Sequence, residues 1–225
     1  MNLLALETSA AIGSVALATK AGMLVRMIAS TREQTDQLIR YTDELLAEAG
    51  IALTDLAGIA FGRGPGSFTG LRVSAAVAQG LSAVSGVPVL PVSSLLCVAE
   101  RAWREHGCER ALVCVDAHMG EVYSAETECR AGVAAIVGAE RLSQPQDVAV
   151  PHRSGWWAVG NGFASRADAL ATAAKAAARV LPDLLPSAVD LFPQARRDLE
   201  AGLGVAAQAA LPVYLRGETA WRRTS

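Results

Sequence analysis

The sequence predicts an α/β protein of two lobes. Three observations carry that expectation: three strand-like segments within the first thirty residues, a helix–strand–helix alternation that follows them to residue 106, and strand patterning that starts again after residue 107. At 225 residues the chain has room for two cores. Lobes at 1–106 and 107–225 are expected, with the last segment packing back on the first lobe. Hydrophobic residues make up 52% and charged residues 19%, a composition that excludes a disordered chain. Gly, Pro or charge interrupts every apolar stretch before the roughly 18–20 residues that a membrane helix needs. The start, Met1-Asn2-Leu3-Leu4, meets Glu7 early and lacks the basic lead of a signal peptide, so a cytoplasmic protein with no membrane role is expected.

Residues 3–9, 12–19 and 23–30 read as a β-meander with short turns that include Gly13 and Gly22. Ser30 with Glu33, or Thr31 with Gln34, offers a capping box for a helix running to about Ala49. The apolar residues Leu38, Tyr41, Leu45, Leu46 and Ala49 recur there at three- and four-residue steps, and Gly50 supplies the stop. Residues 56–61 form a short buried strand. A Gly-rich turn then leads into a second helix over residues 70–84, where Ser74, Ala75, Ala76, Ala78, Gly80, Ser82 and Ala83 would let another helix approach its backbone closely. A strand at 87–92 and a helix at 93–106 complete a βββαβα order. The second half shows strands at 111–116 and 121–126, a looser Gly- and Ala-rich stretch at 130–138, and helices at 166–181 and 188–201. A strand trio, helix, strand, helix order recurring in two halves belongs to the actin-like and sugar-kinase-like (ASKHA) folds, which bind ligand between their lobes. The recurrence is one of pattern, without a sequence repeat.

The segment Gly64-Pro65-Gly66-Ser67-Phe68-Thr69-Gly70-Leu71-Arg72 has two readings. A Gly-rich turn opening a helix can cradle an anion on free backbone N–H groups. It is equally a rigid turn, with Gly64 and Gly66 free to take positive φ, Pro65 fixing the corner, and Ser67 or Thr69 capping the helix. It has neither the Gly-Lys-Ser/Thr ending of a P-loop nor a Gly-x-Gly-x-x-Gly spacing. Glu7 and Asp116, at the ends of strands in the two halves, are candidate acids for a weak Mg-nucleotide site, or strand-end carboxylates that cap nearby N–H groups. Gly160-Asn161-Gly162 reads as an adenosine loop or a plain turn. His106, His118 and His152 are scattered, and Cys97, Cys108, Cys114 and Cys129 are spaced as reduced thiols, so no metal site is expected. No His or Lys is spaced to activate Ser67 or Thr69 as a nucleophile. The net charge of −2 argues against direct neutralisation of RNA phosphates, and Arg216, Arg222 and Arg223 read as a solvated tail or a contact for RNA or an acidic partner.

The first two helices point to a partner. Leu38, Ile39, Tyr41, Leu45 and Leu46 span more than one helical face, so one sheet cannot cover them all. A surface built from Leu38, Tyr41 and Leu45 with Ala76, Val77, Gly80 and Leu81 is the expected partner interface.

The segment 64–72 also carries a resemblance, shared by Leu4-Ala5-Leu6-Glu7-Thr8-Ser9, Asp43-Glu44-Leu45-Leu46, Pro91-Val92-Ser93-Ser94-Leu95, Asp116-Ala117-His118-Met119-Gly120-Glu121-Val122-Tyr123 and Pro212-Val213-Tyr214-Leu215-Arg216. Together they resemble the bacterial TsaB (YeaZ) family from end to end, and only residues 130–166 match poorly. The resemblance implies an actin-like fold and a non-catalytic scaffold role in placing threonylcarbamoyl on the adenosine beside the anticodon of tRNAs that read codons starting with A. It implies docking to TsaD, which carries the metal and transfers the group, together with the ATPase TsaE. It further implies a four-helix bundle formed with TsaD or with a second copy, no cofactor, and contact with tRNA only through the assembly. Ser94-Leu95-Leu96-Cys97-Val98 has Ser and Val where TsaD-like proteins carry the metal-binding His-x-x-x-His, and His118 replaces a family Arg. The competing expectation is an independent actin-like ATPase or kinase using Glu7 and Asp116. A peptidase finds neither ligands nor nucleophile.

Overall fold

The computed structural model describes residues 1–29 and 34–216, and among these residues ten strands form two five-stranded sheets. The capping-box residues Ser30, Thr31 and Glu33, and the cations Arg222 and Arg223, lie outside the described residues. Strands β1 (Leu3–Glu7), β2 (Gly13–Ala18) and β3 (Met23–Ile28) form the antiparallel meander, and β4 (Gly58–Gly64) and β5 (Val89–Ser93) add parallel strands on the other side of β1. Helices α1 (Gln34–Ala49) and α2 (Phe68–Ser85) lie side by side on one face of this sheet, where Leu4, Leu6, Val15 and Leu17 meet Leu38, Leu45 and Ala78. The opposite face, with Leu3, Ala5 and Ala16, is also covered. Burial on both faces explains why β1 reads Leu-Leu-Ala-Leu instead of alternating with polar residues. Ser67 accepts from the Gly70 amide at the start of α2, and Gly86 closes it in the left-handed conformation at φ 73°.

After α3 (Ser94–His106) the second sheet is built by β6 (Arg110–Asp116), β7 (Val122–Arg130), β8 (Val133–Ser143), β9 (Trp157–Val159) and β10 (Arg179–Leu181). Its order, β8-β7-β6-β9-β10, repeats the β3-β2-β1-β4-β5 order of the first sheet, with the same antiparallel and parallel partners. This duplicated topology is the actin-like, ASKHA arrangement. Three short helices complete the half: α4 (Gly162–Ser165), α5 (Ala171–Ala176) and α6 (Phe192–Glu200).

Two expectations change. Residues 130–138 are not loose, because Val133–Ser143 is edge strand β8, paired along β7. Its outward positions Ala135 and Val137 are exposed, so it lacks the polar alternation that marks a half-buried strand. The Ala-rich stretch 166–181 is helical only at Ala171–Ala176, after which Ala178 N–H donates to the Trp156 carbonyl and Arg179–Leu181 pairs with β9. Sheet pairing overrides the helix preference of alanine there.

The halves exchange their last helices. Leu95, Val98, Ala99 and Ala102 of α3 pack on the second sheet, whereas Leu191, Phe192 and Ala195 at the start of α6 pack on the first. Val205 bridges to Val89, and the Ser14 hydroxyl accepts from Ala188 N–H at 2.9 Å, so these two positions of the second half meet the first sheet.

Candidate functional site

The turn from β4 into α2 is built by glycine because three neighbours leave no room for a side chain. A Cβ on Gly64, where φ is +103°, would stand 2.9 Å from the Val213 carbonyl oxygen; on Gly66 it would stand 2.6 Å from that of Ser9, and on Gly70 1.8 Å from that of Thr8. The Ser67 amide donates to the Ser9 carbonyl at 2.8 Å, the Gly70 amide to Ser67 Oγ at 3.4 Å, and Thr8 Oγ1 to the Gly70 carbonyl at 2.7 Å. With those two amides satisfied internally, the turn braces β1 against α2.

Glu7 and Asp116 sit at the ends of the equivalent strands β1 and β6, but neither is a free acid facing a cleft. Glu7 is fully buried, accepts from Ser9 N–H at 2.6 Å and from Ser94 Oγ at 3.3 Å, and burial pushes its carboxyl above the usual range. A Cβ on Gly62 would fall 2.0 Å from its Oε2, so the carboxyl occupies the space that Gly62 vacates. Asp116 is bound by Arg166 Nη2 at 3.1 Å and by the His118 amide at 3.3 Å, while its own amide donates to Asn161 Oδ1 at 3.1 Å. The Gly160-Asn161-Gly162 segment is therefore a turn against β6, where Cβ atoms on its glycines would strike the Cys114 backbone. Of the two readings of these acids, the geometry favours strand-end carboxylates, with Glu7 enclosed and Asp116 paired with a guanidinium. Among the described residues no group of three or more His, Cys, Asp or Glu is placed to hold a metal, and the four cysteines are free.

The outer face of α1 and α2 differs from the expected one. Leu38 and Leu45 have no exposure and Val77 is buried, because their stripe faces the first sheet; they are core residues and do not line a surface. Tyr41 and Leu81 are half-buried at the margin, and Ala76 and Gly80 are exposed as expected. Two residues join the face: Ile39 at 47% exposure and Val84 at 85%. Ala76, Gly80 and Val84 follow at four-residue steps and so share one side of α2. A Cβ on Gly80 would meet nothing within 4 Å. The signal for Ile39 was present in the sequence, since a residue next to Leu38 points about 100° away around a helix.

Between the lobes lies a groove of about 820 Å³, lined by the start of α2, the β6–β7 hairpin and residues 213–216. Phe68, Thr69 and Arg72 of the signature segment face it; Glu7 does not line it. Arg72 stacks 3.7 Å from the Phe68 ring centre and donates from Nε to the Tyr214 hydroxyl at 3.2 Å. Arg216 is held by Glu121 at 2.7 Å and by the Ala117 carbonyl at 3.1 Å, tying the end of the described chain to the second lobe.

Duplicated sheets, exchanged helices and an inter-lobe groove lined by no carboxylate among the described residues define a two-lobed ASKHA protein with outward apolar positions on its first two helices. The model of the family described as TsaD, tRNA N6-adenosine threonylcarbamoyltransferase, matches residues 27–218. The tRNA threonylcarbamoyladenosine biosynthesis protein TsaB of Escherichia coli K12 is 36% identical, over 99% of this chain and 98% of that one; its Haemophilus influenzae counterpart is 31% identical, over 99% and 97%. The YeaZ structure from Pseudomonas aeruginosa superposes with a TM-score of 0.88 at 39% identity, covering 95% of this chain and 99% of that one. The chain belongs to the TsaB (YeaZ) family.

Proposed function

We propose that this chain is a non-catalytic scaffold subunit of tRNA threonylcarbamoylation. It binds TsaD through the outer face of α1 and α2 and, with TsaE, supports transfer of threonylcarbamoyl to the adenosine beside the anticodon of tRNAs reading codons that start with A. The observation that carries the reading is the face itself: in a TsaB-family chain, Ile39, Ala76, Gly80 and Val84 stand exposed on two adjacent helices, with Gly80 open to the close approach of another backbone. Two helices on each side can supply the roughly 1,600 Å² of a standard interface. The same face pairs two copies when TsaD is absent. A net charge of −2 leaves the tRNA to other members of the assembly, and a cytoplasmic location follows from that substrate.

Co-expression with a tagged TsaD protein tests this. The chain is expected to co-elute with it, and TsaD with TsaE is expected to modify tRNA only when the chain is present. Separate elution, or Mg-ATP turnover by the isolated chain that Asp116→Ala abolishes, would instead support an independent ATPase.

A further inference from the structure

The inter-lobe groove opens at the first turns of α2, one turn before Ala76, and its chemistry is specific. We propose that it binds a small organic anion, a carboxylate or phosphate ester on an apolar or aromatic body, with Arg72 as the anion-binding group. At about 820 Å³ the groove has the size of a small-molecule site, for which roughly 300–1,000 Å³ is usual. Its two cations are not equivalent. Arg216 is neutralised by Glu121 at 2.7 Å, whereas no carboxylate among the described residues lies within ion-pair distance of Arg72.

The Arg72 guanidinium is nevertheless held in place, 3.7 Å from the Phe68 ring centre and 6.0 Å from that of Tyr214, with Nε donating to the Tyr214 hydroxyl. Its terminal N–H groups keep the planar fork that fits a carboxylate or phosphate with two parallel hydrogen bonds. A guanidinium already oriented by aromatic rings loses little side-chain freedom when an anion arrives. The walls supply the apolar half of the recognition: Phe68 is 39% exposed, Tyr214 44% and Met119 65%, a concentration of large apolar side chains at one concave place. Met119 and His118 line the groove from a hairpin tip in which both hold left-handed backbone, at φ 51° and 58°, a conformation that side-chain-bearing residues rarely adopt and that recurs at ligand sites.

A matched pair of fluorescent probes tests the assignment on the full chain: anionic 8-anilinonaphthalene-1-sulfonate and neutral N-phenyl-1-naphthylamine, which share their aromatic body. The wild type is expected to bind the sulfonate about tenfold more tightly than the amine, as a charge-assisted pair would provide. Arg72→Met should erase that preference without weakening the amine, and Arg72→Lys should restore part of it. Gly80→Arg, on the docking face, should change neither, so failure here is distinct from failure of the docking reading. Displacement of the sulfonate by phenyl phosphate assigns a phosphate ester, and displacement by phenylacetate assigns a carboxylate. Equal affinity for the two probes, an unchanged preference in Arg72→Met, loss of binding in Gly80→Arg, or no displacement by either anion at millimolar concentration would each overturn the proposal.

Discussion

The two halves share one strand order and differ in what covers it. Over the first sheet lie α1 and α2, of 16 and 18 residues. At the matching places in the second half stand a single 3₁₀ turn at Pro145–Asp147 and the short helices α4 and α5, of 4 and 6 residues. The strand-end acids differ as well: Glu7 is enclosed beside Gly62 and Ser94, whereas Asp116 is paired with Arg166. One sheet topology is thus retained while its strand-end acids are enclosed or paired, and among the described residues only the first half carries long helices with an outward apolar side. The outward apolar positions belong to what was laid on the sheet, not to the sheet.

Substitutions can break or sharpen this contrast. The largest effect is expected within α2. Gly70→Ala places a methyl 1.8 Å from the Thr8 carbonyl oxygen, which cannot move without disturbing β1, and should cost more than about 4 kcal/mol in urea unfolding. Next comes the inward side of α1: Leu45→Ala should cost about 2–5 kcal/mol, whereas Ile39→Ala, on the outward side, should stay within about 0.5 kcal/mol. An equal loss from both would erase the distinction between core and docking sides.

A smaller effect depends on pH. Glu100 of α3 is buried and accepts from Ala134 N–H of β8, and burial raises its carboxyl to about 7 from an ordinary 4.5. The folded state therefore keeps this proton over a range where the unfolded chain has lost it. The contribution to stability is greatest below pH 4.5, falls as pH rises towards 7, and is level above that. Glu100→Gln should flatten part of the decline across that window; Glu7 and Asp190, both shifted in the same direction by burial, leave a remainder. An unchanged pH profile would remove Glu100 from the account. Smallest of all, Gly80→Ala should stabilise the chain by about 1 kcal/mol, since the added methyl meets only open space.

Much of the first half was legible in the sequence because each element carries its own punctuation. Gly50 stops α1, Ser67 caps the start of α2, and the apolar stripe of α1 marks a helix packed on a sheet. Periodicity identifies such a stripe without telling whether a sheet or a partner covers it, which is why Leu38 and Leu45 were expected at a surface and lie in the core. Strand β8 and the short helix α5 were misread because alanine and glycine carry little pattern, and pairing with distant strands decided their structure. Glu7 looked available because the neighbour that encloses it, Gly62, lies 55 residues away and acts by lacking a side chain. The groove was invisible for the same reason, since Arg72 meets Tyr214 across 142 residues of chain.

The account rests on the outward side of α2 meeting another protein. Titration of a TsaD protein with Gly80→Arg tests that most directly, since arginine fits the exposed helix of the lone chain and its urea midpoint should hold or rise. The account predicts affinity reduced about a hundredfold or more relative to the wild type. Undiminished affinity in a folded Gly80→Arg protein would contradict it.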